Sequence, residues 1–274
     1  MPDPVVAVAC QGTTPDGTYW AEFGEGTPIV LIHGVGMNHQ VWLPQVADLS
    51  AGFRVIVYDM LGHGRSRVPD ARVTIRDFGT QLEQLLASID VDRVTLVGHS
   101  MGAMVALWFA LEHPRFVSGL VALNAVDERT PEQRAAVIER ADSLARNGGD
   151  TGIDHTLARW FGQNGEAVDP AIHARVREWL QATDPEGYRR AYQVFATADR
   201  EIAARIHELA VPALFMTGEH DPNSTPAMAA SMAARSARGE VDVVADARHM
   251  MALEMPAVVN HKVRTFVQQH TGNG

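Results

Sequence analysis

A serine with a glycine two positions away on each side is the feature of this sequence that most directly predicts chemistry. It stands in the segment Gly98-His99-Ser100-Met101-Gly102, which follows a β-branched apolar run and precedes a helical stretch. A strand-to-helix turn of this kind projects the serine hydroxyl above the carboxyl edge of a sheet. It also places the Ser100 and Met101 amides at a helix N-terminus, which favours developing negative charge. The pattern therefore predicts that Ser100 is a nucleophile.

A serine nucleophile needs a base, and the base needs an acid that orients it. His249 follows the apolar run Val241–Val244, and Asp221 follows the run Pro212–Thr217. Both residues therefore lie in loops after late strands, and the chain order is Ser, Asp, His. We expect His249 to act as the base and Asp221 as the acid.

Alternatives for both roles remain open in the sequence. Asp127 follows the run that ends at Leu123 and is a second candidate for the acid. His99 and His220 are weaker candidates for the base, because each neighbours a predicted catalytic residue and the backbone points it elsewhere.

The segment His33-Gly34-Val35-Gly36 follows another apolar run, Pro28–Ile32. A glycine-rich loop there can aim the Val35 amide at the same point as the Met101 amide, and two such donors form an oxyanion hole. Around these groups we predict a substrate pocket formed by Gly34, Gly36, His99, Trp160 and Met250. The methionines near the site are typical of core filler and also of an adaptable apolar wall.

The composition excludes several other classes of function. The chain has 274 residues and a formal net charge of −10, so nucleic acid and anionic membranes are poor partners. With Cys10 as the single cysteine, the sequence indicates a reducing compartment, and we expect a cytoplasmic protein. The sequence contains no C-x-x-C or H-E-x-x-H metal motif and no G-x-x-x-x-G-K-[S/T] phosphate motif, and His33 and His39 are a weak ligand pair. The sequence thus predicts chemistry without a cofactor or metal, and it leaves a homo-oligomer open.

The elements that must position these residues alternate along the first half of the chain. Apolar runs at 28–32, 53–58, 94–97 and 119–123 enclose helical stretches at about 40–49, 74–88 and 101–112. Strand, helix and strand in alternation predict a mostly parallel sheet flanked by helices. An antiparallel hairpin is predicted at the start, with strands at Val5–Val8 and Thr18–Glu22. Strands return at 212–217 and 241–244, and a last helix follows at about 256–270.

A helical insertion interrupts this α/β pattern. From about Glu128 the strand runs stop, and the composition predicts short amphipathic helices at 131–146, 170–182 and 185–196, with breakers at Asn147-Gly148-Gly149 and Asp169-Pro170. We therefore predict a core formed by residues 1–127 and 198–274, with a helical cap at 128–197. Trp160, Phe161 and Trp179 are candidates to complete the pocket from this cap.

Five motifs together resemble the α/β-hydrolase superfamily: HGVG at 33–36, DMLGHGRS at 59–66, GHSMG at 98–102, GEHDP at 218–222 and RHMMALEMP at 248–256. The resemblance implies an eight-stranded, mostly parallel sheet with a helical cap. It also implies Ser100, Asp221 and His249 as nucleophile, acid and base, with Val35 and Met101 as oxyanion donors. The segment 59–66 has a supporting structural role in this interpretation.

Within the superfamily the chain resembles bacterial carboxylesterases, enol-lactonases and the C–C hydrolases of meta-cleavage products. Those C–C hydrolases usually carry Asn before the serine and Trp after the histidine, where this chain has His99 and Met250. We therefore expect hydrolysis of a small ester or lactone. C–C hydrolysis, with a substrate carboxylate held by Arg159, Arg189 or Arg190, is the alternative. A non-catalytic ligand receptor on the same fold is an alternative of another class.

Overall fold

A single eight-stranded sheet forms the centre of the protein. The computed structural model describes residues 7–146, 152–162 and 169–271. The strands are β1 (Cys10–Thr13), β2 (Tyr19–Phe23), β3 (Thr27–Ile32), β4 (Phe53–Tyr58), β5 (Val94–His99), β6 (Val117–Leu123), β7 (Ala213–Gly218) and β8 (Gly239–Val244). Their order across the sheet is β1-β2-β4-β3-β5-β6-β7-β8. β1 and β2 pair antiparallel, as do β2 and β4, and the other neighbours are parallel. The predicted mostly parallel eight-stranded sheet is confirmed.

Helices lie between and after these strands. They are α1 (Leu43–Leu49), α2 (Ile75–Ser88), α3 (Met101–Glu112), α4 (Pro131–Arg146), α5 (Ile153–Phe161), α6 (Pro170–Ala182), α7 (Pro185–Thr197), α8 (Asp199–Arg205), α9 (Pro226–Arg235), α10 (Met251–Glu254) and α11 (Pro256–Thr271). α1 contacts α10 and α11, whereas α2 contacts α3. Among the described residues, no helix is both long enough and apolar enough to cross a bilayer.

Local sequence explains why the helices that carry or support the site form where they do. α3 is buried on every side from Met101 to Ala110, which matches a helix that is apolar all round and lies in the core. α6 and α7 each begin with an aspartate N-cap followed by proline, and Asp169 and Asp184 accept hydrogen bonds from amides in the first turn. These signals place α6 and α7 where the sequence predicts helices.

The first strand differs from its prediction. The structure forms β1 at 10–13, whereas Ala7 and Val8 are exposed and outside any strand; Val5 and Val6 lie outside the described residues. The turn at Thr14–Gly17 sets this register, because the Thr14 amide donates to the Thr18 carbonyl and the strands pair outward from there. β1 is an exposed edge strand, so its polar sequence lacked the apolar alternation that predicts a strand.

The helices between β6 and β7 make a close contact with the loop that follows β4. A Cβ at Gly187, in the first turn of α7, would overlap the Gly62 carbonyl oxygen, and Gly62 itself has a φ of 77°. Arg190 on α7 donates hydrogen bonds to the Pro69 and Ala71 carbonyls. These contacts join the helical insertion to the core. The predicted cap bounds at 128–197 stay a prediction, as does the breaker at 147–149, which lies outside the described residues.

We expect Gly187→Ala to destabilise the fold by about 1–3 kcal/mol, because the added methyl group forces α7 away from the Gly62 backbone. Urea unfolding followed by circular dichroism measures the change. Gly52→Ala is the matched control, since a Cβ at Gly52 meets no described atom within 4 Å. Equal unfolding midpoints for the two variants would contradict this packing argument.

Candidate active site

Ser100 occupies a strained turn between β5 and α3. Its backbone has φ 55° and ψ −116°, a region that residues with a side chain rarely adopt. Its amide donates to the Leu123 carbonyl at the end of β6, with N···O 2.9 Å. A Cβ at Gly98 would overlap the Gly102 backbone, and a Cβ at Gly102 would overlap the Ile32 carbonyl. Both glycines are therefore required for the turn that presents Ser100.

His249 and Asp221 form a buried pair. The His249 Nδ1 lies 2.7 Å from the Asp221 Oδ2, and both residues are almost fully buried. Since the carboxylate accepts, Nδ1 carries the proton and Nε2 is the acceptor. Burial alone would raise the pKa of the Asp221 carboxyl, but the charge and hydrogen bond of His249 hold that pKa below its ordinary value. The Asp221 carboxyl is thus ionised where it accepts the hydrogen bond of His249.

Ser100 and His249 line the same cavity. Val35 joins them from the core side, and the insertion contributes Trp160, Tyr188 and Phe195. The structure therefore brings the predicted nucleophile, base and acid together from three distant segments of the chain.

The alternative acid and bases have other partners. Both carboxylate oxygens of Asp127 accept from Arg235. The His99 Nε2 donates to the His249 carbonyl at 2.8 Å, and burial lowers the pKa of His99 to about 3. His220 is half-exposed beside Glu219 and Asp246. His99 therefore supports the backbone of His249 and stays neutral.

Two buried histidines hold the predicted oxyanion loop. The His63 Nε2 accepts from the Gly36 amide at 2.9 Å, and the His33 Nδ1 donates to the Gly34 carbonyl at 2.8 Å. Burial lowers the pKa of His33 to about 3 and of His63 to about 4, so both remain neutral. The residues on each side of Val35 are thus held in place next to Ser100. The oxyanion role of the Val35 and Met101 amides stays a prediction.

Asp59 binds residues of two loops near Ser100 through its carboxylate. Its carboxylate accepts from the His39 amide at 2.7 Å, from the His39 Nδ1 at 2.8 Å and from the Arg65 amide at 2.9 Å. The Nδ1 of His39 is therefore bonded to Asp59, whereas the Nδ1 of His33 is bonded to the Gly34 carbonyl. Within the described ranges, the side chains spaced closely enough for a metal are Glu219, His220 and Asp246, which are exposed and away from the cavity wall.

The five predicted pocket residues do not all reach the cavity. Trp160 lines it, whereas Gly34, Gly36, His99 and Met250 are not among the described residues of its wall. Met250 is buried in the hydrophobic core, at 2% exposure, because it precedes α10 and packs inward. The insertion contributes more residues to this wall than the loops around Ser100 do, and the pocket role of Gly34, Gly36, His99 and Met250 stays a prediction.

Trp160 connects α5 directly to His249. Its carbonyl accepts from the His249 amide at 3.3 Å, and its ring stacks on the His249 ring with centroids 5.6 Å apart. The sequence singled out Trp160 as an aromatic residue, but this contact depends on how α5 docks.

Asn124 is a residue of the site that sequence reasoning missed. Its Nδ2 donates to the Asp221 Oδ2 at 2.7 Å, the same oxygen that His249 contacts. Its φ of 52° turns the side chain back toward β7, and Ser224 donates to its carbonyl at 2.6 Å. An asparagine directly after an apolar strand was the available signal, since asparagine tolerates positive φ.

Comparison with known proteins identifies the class. The model of the family described as the α/β hydrolase fold matches residues 27–256 of this chain. The chain belongs to the α/β-hydrolase fold family.

Particular relatives agree with this family. A protein of Acinetobacter baylyi named (E)-2-((N-methylformamido)methylene)succinate hydrolase is 36% identical over 91% of this chain and 94% of its own length. The 3-oxoadipate enol-lactonase 1 of the same organism is 29% identical over 83% of this chain and 84% of its own. The crystal structure of an enol-lactonase from Burkholderia xenovorans superposes with a TM-score of 0.86 at 27% identity, covering 94% of this chain and all of that one. These similarities support hydrolysis as the activity.

We expect Asn124→Asp to lower kcat roughly 10-fold or more, because the variant replaces a donor to the Asp221 carboxylate with a second negative charge. Aspartate has the same shape and tolerates positive φ, so the fold should persist. Asn38→Asp is the matched control, since Asn38 only accepts from the Gln40 amide at a helix start. Wild-type kcat in Asn124→Asp would show that Asn124 does not position the acid.

The carboxyl group of Glu254 leads to a prediction of how folding stability depends on pH. Burial raises the pKa of its carboxyl from the ordinary 4.5 to about 7, against the charges of Arg248 and His249. A pKa that is raised in the folded state contributes stability below pH 4.5 that is lost as the pH rises through about 7.

Glu254→Gln should therefore be more stable than the wild type at about pH 8, by about 1 kcal/mol after allowance for the partial exposure of the carboxyl. At about pH 4 the two proteins should have equal stability, because Glu254 is then neutral. Urea unfolding at both pH values checks this. Glu25→Gln, at an exposed position, serves as control. A stability difference that does not depend on pH would contradict the assignment.

Proposed function

We propose that the protein is a serine hydrolase that cleaves a small carboxylic ester or lactone through an acyl-enzyme. The observation that carries the proposal is the shared cavity wall of Ser100 and His249, with the His249 Nδ1 held 2.7 Å from buried Asp221. Such an arrangement activates an alcohol as a nucleophile toward a carbonyl carbon.

In the first half-reaction, the Ser100 Oγ attacks the carbonyl carbon while the His249 Nε2 accepts the hydroxyl proton. Asp221 stabilises the imidazolium that forms. The negative charge on the former carbonyl oxygen is stabilised by the Val35 and Met101 amides, the latter at the N-terminus of α3. The C–O bond to the leaving alcohol then breaks, and this alkoxide oxygen takes the proton from His249.

In the second half-reaction, His249 accepts a proton from water, and the water oxygen attacks the acyl carbon bonded to the Ser100 Oγ. The tetrahedral intermediate collapses, the serine oxygen recovers its proton and the carboxylic acid leaves. A lactone follows the same steps, except that the alcohol and acid groups remain in one product molecule. Trp160, stacked on His249, covers the base from the side of the insertion.

The names of the relatives support a substrate with a carbonyl group. They also favour a second candidate function. Two of them are enol-lactonases, and the relative with 36% identity is named for a substrate with an N-methylformamido group. The same nucleophile and oxyanion donors can act on an amide carbonyl, so hydrolysis of an amide-type C–N bond is the second candidate function.

C–C hydrolysis and the receptor remain alternatives from the sequence. His99, at the position before the nucleophile, is committed to the His249 carbonyl and does not line the cavity, so it offers no support for C–C cleavage. A receptor would need no nucleophile held in a strained turn.

We expect Ser100→Ala to lower kcat/KM by roughly 10⁴-fold or more on a panel of nitrophenyl esters and lactones, because the variant cannot form the acyl-enzyme. A fluorophosphonate probe should label the wild type and not this variant. Ser88→Ala, on the exposed face of α2, is the control. Turnover within a few-fold of wild type in Ser100→Ala would refute the acyl-enzyme mechanism, and absence of labelling in active protein would refute the serine nucleophile.

A further inference from the structure

The wall of the catalytic cavity that the insertion supplies contains two arginines. Arg140 on α4 and Arg159 on α5 both line the cavity that contains Ser100 and His249. None of the described side chains in this wall carries a carboxylate. The protein as a whole has a net charge of −10, so two guanidinium groups in this wall oppose the overall charge.

Arg159 is held in a defined orientation by the loop of the acid. Its Nε donates to the Asn223 Oδ1 at 2.7 Å, and its Nη2 donates to the same oxygen. The backbone amide of Asn223 donates in turn to the Asp221 Oδ1 at 2.8 Å. The guanidinium group is therefore positioned relative to Asp221 by two successive hydrogen bonds, and its partner is a neutral amide.

Arg140 reaches the same cavity from another helix. Its Nη2 lies 3.4 Å from the Thr156 Oγ1, and its side chain is hydrogen-bonded to Tyr188. Tyr188 is buried in the wall beside Arg159, so the two arginines border the same space. Both are half-buried, which strengthens their attraction for an anion relative to an exposed cation.

Other arginines of the insertion have different roles. Arg189 and Arg190 on α7 pair with Glu186 and line a separate surface depression beside Arg72. Of the three arginines that the sequence suggested for a substrate carboxylate, the structure places only Arg159 in the catalytic cavity.

We infer that Arg159 and Arg140 form a carboxylate-binding subsite, so that the substrate is an ester, lactone or related acyl compound with a carboxylate on its acyl part. The inference rests on the proposed function. A guanidinium group binds a carboxylate through paired N–H donors, which gives both affinity and orientation. A carboxylate on the acyl part stays bound through both half-reactions and positions the acyl carbonyl for serine and then for water.

The test compares two aryl esters that differ in one charge: 4-nitrophenyl hydrogen adipate and the same compound with its carboxylate capped as a methyl ester. The wild type should prefer the anionic ester, measured as the ratio of the two kcat/KM values. In Arg159→Gln this ratio should fall roughly 10- to 100-fold, with most of the change in KM for the anionic ester. The ratio for Arg159→Lys should lie between those of the wild type and Arg159→Gln, because lysine keeps the charge without the paired donors.

Arg189→Gln is the matched control, because it removes an equal charge from the insertion outside the cavity. A ratio that is unchanged in Arg159→Gln, or that falls equally in Arg189→Gln, would overturn the subsite.

A binding measurement separates this inference from the proposed function. Calorimetry with adipate and the Ser100→Ala variant should show binding that Arg159→Gln weakens by a similar factor and Arg189→Gln does not. This result would support the subsite even if Ser100 proved not to be the nucleophile. Loss of aryl ester turnover in Ser100→Ala, without any preference for the anionic ester in the wild type, would support the hydrolase and reject the subsite.

Discussion

The strained backbone at Ser100 is the constraint on which the site depends. A residue with a side chain held at φ 55° costs about 1–3 kcal/mol, so the surrounding structure must hold it there. The bond from the Ser100 amide to β6, and the close contact of Gly102 with the end of β3, supply that restraint. The buried helix α3 then extends from the turn into the core. The end of β5 thereby holds the Ser100 side chain at the wall of the cavity.

Buried polar groups also fix the backbone around His249 and in the loop at 33–36. His33, His63 and His99 are held neutral by burial, so each provides a directed donor or acceptor without adding charge beside His249. Asn124 and His249 converge on one oxygen of Asp221, which keeps the carboxylate ionised despite its burial.

The helical insertion completes the cavity and contacts both His249 and the loop that carries Asp221. Trp160 stacks on His249, and the neighbouring Arg159 is bonded to Asn223 in the loop of Asp221. α5 therefore contacts both His249 and the loop that carries Asp221.

The sequence by itself determined the α/β pattern, the turn at Ser100, the loops of Asp221 and His249, and most helices of the insertion. Each of these depends on local signals: apolar runs, glycines at a tight turn, and aspartate–proline helix starts. Only the tertiary structure decided that Asp127 pairs with Arg235, that Asn124 bonds to Asp221, that Met250 is in the core, and that Arg140 and Arg159 face one cavity. These outcomes depend on how helices and loops far apart in the chain pack together, and hydrophobic periodicity specifies which face of an element is buried but not which partner it meets.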